Sequence, residues 1–129
     1  MYKELIISII IVILIIGLDI GTQKYANNAV QETINSLYNI KDKTKEVNRN
    51  DDEILTQTSD LYSSWLNQHR KLAIFIEHDE LEKVDTAIVS AKSYIQTEDY
   101  SSAASEFDVG KFVLEHIQEK YKFNLVNVF

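Results

Sequence analysis

Residues Leu5–Leu18 read LIISIIIVILIIGL, and Ser8 and Gly17 are the only members that are not aliphatic. A helix apolar on every side has no face to give to water, so the chain must bury it or place it in a bilayer. A chain of 129 residues is too small to enclose such a rod. At about 1.5 Å per residue, Leu5–Ile20 covers roughly 24 Å. That is short of the ~30 Å hydrocarbon core, within what local thinning or snorkelling ends accommodate. Tyr2 and Tyr25 flank the run, as aromatic residues do at bilayer interfaces. A cleaved signal peptide has a similar length but needs small residues before its cut site, and Gly17-Leu18-Asp19-Ile20-Gly21 offers no convincing pair. The run is therefore expected to be an uncleaved, single-pass anchor in the cell membrane. The amino terminus and Lys3 precede it and Asp19 follows, which predicts a cytoplasmic N-terminus and an extracytoplasmic body; Lys24 opposes this from farther along.

The body is acidic: the chain's net charge of −7 becomes −6 once Lys3, Glu4 and Asp19 are set aside. Phosphates repel such a surface, so neither nucleic acid nor anionic lipid is an expected partner. With no cysteine there are no disulfides, thiolate metal sites or lipidated thiol. Proline is absent, and Gly110 is the only glycine beyond the anchor, so helices meet few breakers.

Helical periodicity continues after the anchor. Ala26, Val30, Ile34 and Leu37 mark a first segment, about Thr22 to Val47, expected to prolong the membrane helix as a stalk. Asn48–Asp52 (NRNDD) reads as a linker that caps the next helix. That helix, about Asp52 to Ile76, carries Ile54, Thr58, Leu61, Tyr62, Trp65, His69, Leu72, Ala73 and Ile76. A third opens at Asp79, with Glu82 in capping-box register, and shows Leu81, Val84, Ile88, Ala91 and Ile95. A fourth, about Asp99 to Tyr121, shows Ala103, Phe107, Gly110, Leu114, Ile117 and Tyr121. Short turns make neighbours antiparallel, setting Ile88 against Phe107, Leu81 near Leu114 and Trp65 toward Ala91. The expected fold is all-α: an N-terminal transmembrane helix, then an antiparallel bundle of three to four helices. Residues 1–21 form tail and anchor, 22–50 stalk and linker, and 51–129 the bundle with an apolar tail.

The stretch from Trp65 to Phe129 carries a resemblance. FIEHDELEKVDTAI, SYIQTEDYSSAASEF and VLEHIQEKYKFNLVNVF, at their spacing, are similar to the domain of unknown function 4363 family. His78, Asp79, Glu80, Val84 and Asp85 match its turn-and-helix segment, and Ala103, Leu114, His116, Ile117, Asn127 and Val128 match its end. The family comprises small bacterial proteins with an N-terminal membrane helix and a helical remainder. It has no assigned activity, so the resemblance implies architecture and no mechanism.

Three features invite a functional reading. Glu77-His78-Asp79-Glu80 falls beside His116 and Glu119 in the antiparallel arrangement, and two imidazoles with carboxylates suit a divalent ion such as zinc. The competing reading has Asp79 capping a helix, His78 packing at the bundle end and His116 in water. That reading is the expected one, so no metal, cofactor or catalytic residue is assigned. No nucleophile, oxyanion donor or cleft is recognisable, so an enzyme is not expected. His69 lies inside an apolar stripe; a core histidine is usually neutral and bonded to a polar neighbour, whereas protonation there would make a pH sensor. Val109 and Phe112 fall off the core stripe, and Phe123, Leu125, Val126, Val128 and Phe129 end the chain; they seal the bundle or meet a partner. The expected function is an accessory or interaction module for another envelope protein. The alternative is a small-ligand or metal-binding sensor domain.

Overall fold

The computed structural model describes the side chains of residues 1–121 apart from Phe75, and the helical backbone through Val128. The apolar residues expected at the chain end, Phe123, Leu125, Val126, Val128 and Phe129, lie outside the described side chains. Four helices follow one another: α1 (Tyr2–Thr44), α2 (Asp51–Leu72), α3 (His78–Gln96) and α4 (Tyr100–Val128). There is no strand among the described residues. Each helix packs on the next in sequence and α4 returns to α1, so the four form a closed ring around one core. Antiparallel packing places the α2–α3 turn and the far part of α4 at the end nearest the apolar segment.

α1 is unbroken for 43 residues. Every large hydrophobic side chain from Leu5 to Ile20 is exposed, and the helix is long and apolar enough to cross a membrane. Its second part buries Ala26, Ala29, Val30, Thr33, Ile34, Leu37, Ile40 and Thr44, at the three- and four-residue spacing of one helix face. Residues 22–44, read from sequence as a stalk, are thus one wall of the bundle. Gly17 and Gly21 do not interrupt the helix: neither has a positive φ, and a methyl group at either would meet nothing within 4 Å.

The helix starts follow local chemistry. Asn50 caps α2, its side chain accepting from the Glu53 amide at 3.1 Å, and Asp51, Asp52 and Glu53 sit where the helix dipole favours negative charge. Asp99 caps α4, one carboxylate oxygen accepting from the Ser102 amide at 3.1 Å and the other from its hydroxyl at 2.7 Å. α3 departs from expectation. It starts at His78, and the Glu77 carbonyl accepts from the amides of Glu80 and Leu81. Asp79 therefore lies inside the first turn, where its side chain cannot cap, and Glu82 pairs with His78 at 2.8 Å instead of closing a capping box. Between α3 and α4, Glu98 takes a φ of 61°, the left-handed conformation that ends helices and favours glycine.

Trp65, Phe107, Leu37, Ile54, Leu72, Leu81, Ile88, Leu114 and Ile117 are the large side chains sealed in the core. Gly110 belongs to it: a methyl group there would stand 3.4 Å from Leu37 Cδ1 and 3.5 Å from Ala87 Cβ, so its small size lets α4 approach both α1 and α3.

Candidate functional site

A chain of polar side chains runs from the core to the surface between α2 and α3. Trp65 and His69 stand one turn apart on α2, and both reach Asp85 on α3. The Trp65 indole donates to Asp85 Oδ1, and His69 Nδ1 lies 2.9 Å from the same oxygen. His69 Nε2 lies 3.4 Å from His78 Nδ1, and His78 Nε2 lies 2.8 Å from Glu82 Oε1. Trp65 is 0% exposed while the His78 side chain is 66% exposed, so the chain spans the whole depth of the interface. A carboxylate turned toward a core is costly unless donors meet it, and Asp85 has two.

The protons can be counted. The contacts Asp85–His69, His69–His78 and His78–Glu82 each need one N–H, and two neutral imidazoles supply one each. All three are made together only when the rings hold one extra proton, a single positive charge between two carboxylates. His69 thus has the polar partner that a histidine in an apolar stripe needs, and that partner is an aspartate.

The expected cluster of His78 with His116 does not assemble. His116 Nε2 is 3.6 Å from Glu80 Oε1, while His78 faces His69 and Glu82. Because α3 begins at His78, His78 and Glu80 are two helical positions apart and point to opposite sides, one toward α2 and the other toward α4. Asp79 is exposed between them. No group of three or more histidine, aspartate or glutamate side chains able to hold a metal ion forms among the described residues. Lys120 joins the α4 side, 3.6 Å from Glu80 and 3.5 Å from Glu77. Desolvation would lower the Lys120 pKa, but the charges of Glu80 and Glu77 outweigh it and the net shift is upward.

Two further features lie outside these networks. A cleft of about 310 Å³ opens between α1 and α4 at the end nearest the apolar segment, walled by Ile20, Ala26, Val30, Ile76, Ile117 and Tyr121. Gln23 borders it, and its buried Oε1 meets no donor among the described residues. On the outer side of α4, Val109 is 48% and Phe112 74% exposed, as their position off the core stripe predicts.

The class defined by this geometry is a four-helix bundle whose first helix runs on into an exposed apolar segment. The chain belongs to the family described as Domain of unknown function (DUF4363), which matches residues 20–128. The matched stretch opens at Ile20, so it takes in the buried part of α1 and the rest of the bundle. No curated protein and no solved structure matches the chain.

Proposed function

We propose that this protein is a membrane-anchored, extracytoplasmic helical module that binds or steadies another envelope protein and performs no catalysis. In this reading Leu5–Ile20 crosses the cell membrane once, with the N-terminus in the cytoplasm. The observation that carries it is Phe112, 74% exposed, whereas Tyr100 and Phe107 on the same helix are buried and Tyr121 is half-buried. Leaving a phenylalanine in water forgoes about 1.5–3 kcal/mol of burial, which a partner surface would recover. The unbroken α1 supports the same reading, because a bundle mounted without a flexible linker holds its faces at a fixed height above the bilayer.

Carbonate washing of membranes and protease treatment of intact, wall-stripped cells test the anchor and its direction. The protein should stay with the membrane, and its body should be digested from outside. Release by carbonate removes the anchor, and protection of the body reverses the topology.

A small-ligand sensor is the second reading, favoured by the cleft. Its volume stands at the lower end of the ~300–1,000 Å³ of ligand pockets, and its apolar wall with a few polar groups fits that type. A ligand held there would raise the melting temperature with its concentration, by RT ln(1 + [L]/Kd) in free energy. A melting temperature that rises with the concentration of a small apolar probe able to enter this cleft would favour the sensor over the interaction module.

A further inference from the structure

We propose that the outer face of α4 docks a basic amphipathic helix, with Phe112 as the central contact. This rests on the partner reading above and adds the chemistry of the partner. Val109, Phe112, Val113 and His116 recur at three- and four-residue spacing and so form one stripe along α4. Its exposed members, Val109, Phe112 and His116, lie away from Phe107, Leu114 and Ile117, which are in the core, while Val113 at its α3 edge is half-buried against that core. A groove runs along each side of it. Val109 and Val113 border the groove toward α3, together with Asp79, Glu82, Lys83 and Glu106. Phe112 borders the groove toward α1, together with Glu115, His116 and Glu119.

The rims decide what can cover the stripe. Five carboxylates face one lysine across the two grooves. Lys111 stands 3.7 Å from Glu115, and His78 pairs with Glu82, whereas Asp79 and Glu106 meet no cation among the described residues. A second copy of the chain is a poor occupant: a two-fold pairing sets the same patch against itself, so one acidic rim would face another. An anionic lipid surface meets the same repulsion. A helix with an apolar stripe between lysines or arginines matches both the ridge and the rims. Helix-in-groove recognition reads such residues as anchors at i, i+3, i+4 and i+7, and aromatic residues are enriched at the centres of interfaces.

The test uses full-length protein in neutral phosphatidylcholine nanodiscs, with binding to empty discs subtracted. The probe is a fluorescent designed helix with leucines on one face and lysines on the other, compared with its glutamate-for-lysine counterpart. The lysine helix should bind, more weakly as salt rises, and the glutamate helix should not. Phe112→Asp should weaken binding of the lysine helix about tenfold or more, the equivalent of at least ~1.4 kcal/mol, although the variant is more acidic. A purely electrostatic association would instead tighten, which overturns the proposal. Glu106→Lys with Glu119→Lys should weaken the lysine helix and admit the glutamate helix; unchanged preference also overturns it. Phe112 is exposed, so an unchanged helical spectrum confirms that the variant folds. A photo-crosslinking residue at position 112 in native membranes separates the two levels. If the lysine helix fails but one protein is still captured there, the basic chemistry falls and the partner reading stands. If neither is seen, both fall.

Discussion

The two parts of α1 share one hydrogen-bonded backbone and present opposite surfaces. From Leu5 to Ile20 the aliphatic side chains are exposed all round, a pattern suited to lipid. From Ala26 to Thr44 one face is buried, while Gln31, Glu32, Asn35 and Asn39 stay exposed, a pattern suited to the wall of a bundle. The change of surface needs no break in the helix. Backbone geometry is indifferent to the solvent, and the arrangement of side chains alone assigns each part its surroundings. Joining the parts without a turn has a mechanical consequence: tilt or rotation of the apolar part is passed to the bundle rather than lost in a linker.

The contrast can be broken first at its strongest point. Trp65→Ala should empty a sealed site and cost about 3–5 kcal/mol, a large share of the ~5–15 kcal/mol typical of a domain. Ile13→Ala, in the exposed part of α1, should leave the bundle's thermal unfolding by circular dichroism unchanged. Equal effects would mean that the apolar part of α1 and the core of the bundle do not have separate surroundings. Asp85→Ala should come next. It strips the acceptor from the Trp65 indole and from His69, and an unsatisfied buried donor costs about 1–3 kcal/mol. Denaturant unfolding should show that loss, and Asp85→Asn should recover part of it by keeping one acceptor.

Much of this was readable beforehand, for physical reasons. The buried faces of Val30, Ile34 and Leu37, of Trp65 and Leu72, and of Phe107 and Leu114 follow from periodicity, because a bundle needs one apolar stripe per helix. Rotation of one helix against another was not readable. The sequence shows that His69 sits in a stripe, but its meeting with Asp85 and His78 depends on how α3 is turned. The only signal was Asp85 beside Val84, a carboxylate at the edge of an apolar face. His78 and His116 illustrate the same limit. Sharing a bundle end does not make side chains converge, and α3 starts two residues earlier than expected, with Glu77 rather than Asp79 at its N-cap and His78 facing α2.

Smaller effects sharpen the account at the turns. Glu98 holds a left-handed φ that costs a side-chain-bearing residue roughly 1–2 kcal/mol. Glu98→Gly should therefore raise the melting temperature by a few degrees, and a fall would mean that the turn has another conformation. The smallest effect is acid sensitivity at the start of α4. The Ser102 hydroxyl and backbone amide hold the Asp99 carboxyl below its ordinary value. A depressed native pKa gives stability that is present above the unfolded value of about 3.9 and is lost as pH falls through the native one. Asp99→Asn keeps a capping side chain without the charge, so unfolding curves from neutral pH to below pH ~4 should lose that part of their acid slope.

The continuity of α1 carries the account, and it can be measured as a distance. The chain has no cysteine, so Ser8→Cys and Asn35→Cys give unique spin-label sites, one in the apolar part and one on the exposed side of the bundle wall. In lipid nanodiscs, dipolar electron spin resonance should find a single narrow distribution near 40 Å, the rise of an uninterrupted helix at about 1.5 Å per residue. A broad or clearly shorter distribution would place a hinge between the two parts, near Gly17 and Gly21, and would contradict the rigid mounting of the bundle.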